Sequence, residues 1–141
     1  MSLPFLSTVL LAAMAQAAPP AGPAAGATEP RVATFVVERR ADGVVGSAAA
    51  MMHARLAVVG NCVLVRTERG EEVVPVFGAG TASWDSRARR LSYRGRHYAI
   101  GDVVPIGGGG INPAMIPQIL RSPSVDLPSD CPLSRLWFSP G

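Results

Sequence analysis

The sequence predicts a small all-β protein, an antiparallel barrel of OB-like or SH3-like size with a Pro-rich C-terminal return segment. Three observations predict it. Residues 55–110 are a series of short runs rich in Val, Ile and Leu, cut every few positions by Gly, Asn, Asp or Pro, as antiparallel strands with tight turns are. Two-residue punctuation of the hairpin kind recurs at Gly60-Asn61, Arg94-Gly95 and Gly101-Asp102. About six such runs in a chain of 141 residues suit closure, which removes exposed strand edges.

Taken in order, residues 5–15 (FLSTVLLAAMA) form an uncharged apolar run, too short to span a bilayer as a helix. Ala13, Ala15 and Ala17 follow in the A-x-A spacing of a signal-peptide cleavage site. Residues 1–17 are therefore expected to be an export signal, although residues 1–4 hold no Arg or Lys. No Cys stands at the cleavage point, which argues against a lipid anchor there, and no second long apolar segment predicts a membrane span. Residues 18–30 are Ala, Pro and Gly with one charge, the composition of a linker that cannot bury enough apolar surface to fold. The remainder, 31–141, is expected to be a single β-domain, monomeric, in the periplasm or secreted.

Within that domain, residues 31–40 alternate like a strand until Asp42-Gly43 breaks the run. Residues 47–53 (SAAAMMH) favour helix by propensity, or serve equally as the lead-in to the first core strand. Residues 56–59 and 62–66 read as a hairpin across Gly60-Asn61, and 62–67 and 72–77 as a second across a polar loop. Pro75 has no N–H for a ladder, so its strand is expected at an edge or with a bulge. Residues 91–93 and 96–100 flank Arg94-Gly95, and a strand at 103–106 is expected to end in the flexible run of four glycines at 107–110. Residues 111–132 hold five prolines, and one helical turn is expected at 115–120. A last strand at 133–139 places Leu136 and Phe138 on one side and Arg135 and Trp137 on the other.

The two cysteines, Cys62 and Cys131, are most simply a disulfide in an exported chain, worth roughly 4 kcal/mol in the chain-entropy treatment for a loop of this length. Two free buried thiols, or a reactive thiol at Cys62, are the rival readings. Cys62, His97 and Asp102 also suggest a nucleophile, base and orienter, but their spacing carries no specific signature. With His53 and His97 the only histidines and no C-x-x-C, no metal site is predicted, and no cofactor. The glycines at 107–110 lead into Ile111-Asn112-Pro113 rather than Lys-Ser/Thr and a helix, so they do not read as a phosphate loop.

The most suggestive surface is residues 86–97. Arg87, Arg89, Arg90, Arg94 and Arg96 stand there without an intervening acid, beside Trp84, Tyr93, His97 and Tyr98. Guanidinium groups with aromatics suit phosphate, sulfate or carboxylate partners. All 13 basic residues are Arg, and without these five the formal charge of +3 turns negative, so the patch is local. An anionic envelope polymer or an acidic protein fits it better than nucleic acid; a solvated, ligand-free hairpin is the plain alternative.

Gly-Asn-Cys-Val-Leu-Val from residue 60, Val-Val-Pro-Val-Phe from 73, Tyr-Ala-Ile-Gly-Asp-Val-Val from 98, the four glycines and the distant Cys131-Pro132 together resemble a loose set of uncharacterised bacterial secreted or lipid-anchored proteins. In that set a Gly-Cys-apolar strand precedes a Pro-Val-Trp-Pro segment and a Gly-Asp turn. Here Phe77-Gly78 replaces Trp-Pro. The resemblance implies export and a β-fold and brings no activity with it. The expected function is thus a non-catalytic exported module binding an envelope component or protein partner, with a small disulfide-braced inhibitor of an exported hydrolase, presenting 111–132, as the alternative.

Overall fold

The computed structural model describes residues 29–36 and 50–141. The expected export signal, most of the linker, and the expectations for residues 37–40 and 47–49 lie outside the described residues. The strands are β1 (Ala33–Phe35), β2 (Ala50–Val59), β3 (Cys62–Arg66), β4 (Glu72–Gly78), β5 (Ala82–Asp85), β6 (Arg90–Tyr93), β7 (Arg96–Ala99), β8 (Val103–Gly110), β9 (Val125–Asp126) and β10 (Leu136–Ser139). A 3-10 turn (Pro113–Met115) runs into one short helix, α1 (Ile116–Leu120). Among the described residues no helix is long and apolar enough to cross a membrane.

Five strands close a barrel in the order β10-β8-β2-β3-β4, with β10 returning to β4. The β2–β3 hairpin turns on Gly60 at φ +56°, with Val59 opposite Cys62; Gly at the first central position of a two-residue loop is the type II′ arrangement. Residues 50–53, ambiguous by propensity, are strand, because each pairs with β8 from Pro105 to Gly108. All barrel pairs are antiparallel except the closing one, where β10 runs parallel to β4. That orientation follows from the long return path, since a parallel neighbour needs a crossover rather than a tight turn.

Pro75 lies neither at a sheet edge nor at a bulge. On one side β4 pairs with β10 through Val74 to Phe77. On the other it pairs with β3 only through Glu72 and Val73, and with β1 from Val76 onward. Pro75 falls at the switch between those partners, where no ladder bond is owed, so the missing N–H costs nothing there. β1 enters as a wedge between the diverging starts of β3 and ends of β4, with the Arg31 N–H donating to Asn61 O (3.1 Å) and the Val63 N–H to Arg31 O (3.2 Å).

The four glycines also differ from expectation. Residues 107–110 are not a turn leaving the sheet but the second half of β8, held by β2 at Gly107 and Gly108 and by β10 at Gly109 and Gly110. The absence of side chains is required at Gly108, where φ is +148° and an added Cβ would stand 1.8 Å from Phe138 O. The backbones of β8 and β10 meet too closely there for any other residue.

Two apolar clusters result. Inside the barrel, Ala54, Leu56, Val63, Val65, Val73, Phe77, Val104 and Ile106 are buried together with Leu91, Tyr93 and Tyr98 from the β5–β7 sheet. Outside the wall, Cys62, Leu64, Val74, Val76 and Leu136 are covered by the return segment through Ile116 and Cys131, with Ile119, Val125 and Leu127 beside them. β3 and β4 are therefore buried on both faces, which explains why they read as unbroken apolar runs. Phe35 and Phe138 meet edge to face in the outer cluster, centroids 4.7 Å apart.

Cys62 and Cys131 are disulfide-bonded, 69 residues apart in sequence, as the cysteine count suggested. A polar clasp stands next to the bond. Asn61 Nδ2 donates to Ser129 Oγ, the Asn61 N–H to Asp130 Oδ2, and the Asp130 N–H to Asn61 Oδ1, each at 2.9 Å. The carboxylate reaches this position only because Gly60 is bare: a Cβ there would lie 2.2 Å from Asp130 Oδ2. Asn61 is 6% exposed, so Asn61→Ala should leave the Asp130 N–H without this partner and lower stability by roughly 1–3 kcal/mol. Equilibrium unfolding in urea checks this, with an unchanged midpoint counting against the clasp.

Candidate functional site

The second sheet, β5-β6-β7, is set across one end of the barrel. Alternation along its strands divides it cleanly. Leu91, Tyr93 and Tyr98, with Trp84 and Ala82 beside them, face inward and join the barrel core. The Tyr93 ring tilts against Phe77 at 5.1 Å, and its hydroxyl pairs with Ser139 Oγ at 3.0 Å in a buried hydrogen bond. The other face carries Ser83, Ser92 and His97, which lie side by side in register, and Ser92 Oγ pairs with His97 Nδ1 at 2.9 Å.

The arginines flank this face in two groups. One is the loop between β5 and β6, where Asp85 Oδ1 accepts from the N–H groups of Arg87 (2.9 Å) and Ala88 (3.1 Å) and Arg89 adopts φ +53°; Arg90 follows opposite Asp85. The other is the β6–β7 turn, where Arg94 (φ +50°) and Gly95 (φ +73°) give the two left-handed residues of a type I′ hairpin. There the Arg94 guanidinium lies 5.5 Å from the Tyr93 ring centroid and Nη2 donates to Gly141 O at 3.0 Å. Arg96 opens β7. The groups sit at opposite ends of a four-residue strand, roughly 10–13 Å apart at ~3.3 Å per residue. All five arginines are exposed. The ion pairs found among the described residues involve Arg31, Arg66 and Arg135 instead.

Tyr93 does not stand on the surface as a stacking platform, and Trp84 is half-buried. Tyr93 is 1% exposed, and Trp84 packs against the barrel core with its Nε1 buried and unpartnered. What the aromatics contribute is the anchoring that holds the arginine-bearing turns still.

The Cys62, His97, Asp102 grouping does not assemble. The Cys62 sulfur is committed to Cys131, His97 Nδ1 to Ser92, and Asp102 Oδ2 accepts from the Ala99 N–H at 2.8 Å. Asp102 thereby closes the turn that returns the chain to the barrel, and a thiolate nucleophile is unavailable.

Compared with family models, curated proteins and solved structures, the chain matches none.

A second feature escaped the sequence. At the end of the barrel opposite the β5–β7 sheet, the mouth is an apolar cavity of about 330 Å³. Every barrel strand, or the residue next to it, lines it: Met52 of β2, Thr67 after β3, Val73 of β4, Gly110 of β8, and Leu136 and Trp137 of β10. Ile111, Pro113, Ser134 and Arg135 complete the rim. No local pattern marks such residues, because they converge only through closure. The return segment at 111–132 does not stand away from the body as a free loop: Ile116 is buried, and Ile119, Val125 and Leu127 pack on the outer wall.

Proposed function

We propose that the protein is an exported, non-catalytic β-barrel module that holds an anionic polymer of the cell envelope on its β5–β7 sheet. One observation carries the reading: five exposed arginines on a braced three-stranded sheet, none ion-paired with an Asp or Glu among the described residues, with one Arg94 donor given to Gly141 O. A guanidinium without a carboxylate side chain beside it keeps its remaining charge-assisted donors for an outside anion. Their division into two groups suits repeating charges along a chain better than one small anion. Export is supported by the apolar N-terminal run with its A-x-A sites and by the buried disulfide, a bond that persists in oxidising compartments.

The test is binding to immobilised alginate, a polyuronate, across a salt series. The wild-type chain should bind at low ionic strength and weaken as salt rises, because exposed charges are screened over about 10 Å at 0.1 M. Replacing Arg87, Arg89 and Arg90 by Gln, or Arg94 and Arg96 by Gln, should each lower the affinity, and the combined variant should abolish binding. Arg69→Gln, on the loop between β3 and β4, should leave it unchanged. A five-Gln variant that binds as the wild type does contradicts the reading.

A further inference from the structure

We propose that the open barrel mouth is a second binding site, for a linear monocarboxylate whose apolar chain enters the cavity and whose carboxylate rests on Arg135. This site is at the other end of the barrel from the arginine-bearing sheet, and stands or falls independently of it.

The barrel is plugged asymmetrically. At the ends of β4 and β10 the interior is filled by Phe77, Tyr93 and Leu91, and sealed by the Tyr93–Ser139 hydrogen bond. At the starts of the same strands none of the described residues fills it, and the cavity of about 330 Å³ falls in the range of small-molecule sites, which barrel mouths commonly supply. It is lined by Met52, Val73, Ile111, Leu136 and Trp137, of which Met52, Val73 and Trp137 belong to the inner apolar cluster, with no charged group among these five. An apolar chain is the occupant such walls favour, since burying it removes apolar surface on both partners from water.

The rim decides the head group. Among the described residues, Arg135 is the only ionisable one lining the cavity. Its Nη1 already holds a carboxylate, that of Glu71, at 2.6 Å, so the guanidinium is placed to receive one. The pair is open to water, with side-chain exposures of 58% and 39%, and such pairs contribute little and exchange readily. Arg135 also keeps further N–H donors beyond Nη1, because a guanidinium carries five. Thr67 and Ser134 add hydroxyls at the same rim. A carboxylate entering here displaces or joins Glu71 on one guanidinium; no bond is made or broken.

The experiment is calorimetric titration of the full chain with sodium decanoate below its micellar range, and with 1-decanol as the uncharged match. Decanoate should bind once per chain and decanol about tenfold more weakly, the order of one charge-assisted contact. Arg135→Gln should bring decanoate down to the decanol level, and Glu71→Gln, which removes the competing carboxylate, should tighten it. Gly110→Leu should abolish binding of both without loss of fold, because the Cβ at that position has only Trp137 Cε3 within 4 Å, at 3.9 Å. Far-ultraviolet circular dichroism checks that the variant is folded. In a Trp84→Phe background, emission from Trp137 should shift on binding and report the mouth directly. Absence of saturable decanoate binding, equal affinity for decanol, or binding that survives in folded Gly110→Leu would each overturn the proposal.

Discussion

Replacing Gly108 by Ala should cost roughly 3 kcal/mol or more of folding stability, whereas the same change one residue on, at Gly109, should cost under about 1 kcal/mol. The two positions differ in what a methyl group would meet. At Gly108 the new Cβ would stand 1.8 Å from the carbonyl oxygen of Phe138 and 2.8 Å from its carbon, and the backbone holds φ at +148°. Neither neighbour is the free end of a side chain, so relief means moving β8 from β10. That is the seam at which the barrel closes, because β10 bridges β8 to β4. At Gly109 nothing lies within 4 Å of the added atom. Urea unfolding of both variants measures the contrast; equal midpoints would show that the seam is not packed as described.

The second large effect belongs to the disulfide. Cys62→Ser with Cys131→Ser should destabilise the fold by about 4 kcal/mol, the unfolded-chain entropy that a crosslink spanning some 70 residues removes. That is a large part of the ~5–15 kcal/mol by which domains are stable. Two features make the loss felt locally. Cys62 is fully buried and Cys131 is 6% exposed, so the hydroxyls would sit in the outer apolar cluster. The segment the bond retains also covers Leu64, Val74 and Val76, which would otherwise face water. Gentle treatment with reductant should leave the native bond intact, since neither sulfur is open to attack, and reduction should proceed only with unfolding.

The parts of this fold legible in the sequence are the local ones. Gly60-Asn61 and Arg94-Gly95 announce their hairpins because a two-residue loop needs positive φ, and the backbone supplies it at Gly60, Arg94 and Gly95. The opposed sides of the last strand were legible by the same period of two: Leu136 and Phe138 join the outer cluster and Trp137 the inner. What was not legible depends on neighbours distant in sequence. Residues 107–110 look like a flexible stop until β10, arriving from the far end of the chain, requires bare backbone at Gly108. Pro75 looks like an edge residue until β1 shares a flank of β4 with β3. β5 and β9 escaped notice because they are short and take their pairing from β6 and β1.

The same division holds for the surfaces. The five arginines are visible as a run, but their separation into two groups depends on both turns lying at opposite ends of β6. The aromatic residues beside them show no sign in sequence of which face they take, and Tyr93 takes the core. The cavity at the mouth has no sequence signature, since Met52, Val73, Gly110 and Trp137 meet only when the barrel is shut.

The fold depends most on a covalent tie between the wall of the barrel and the segment that wraps it. Peptide mapping of the folded protein without reductant, with a thiol-alkylating reagent present throughout, tests it directly. The predicted result is one crosslinked peptide pair carrying Cys62 and Cys131, with no alkylation at either until the chain is reduced and unfolded. Two alkylated cysteines in a protein that still melts at the same temperature would contradict it.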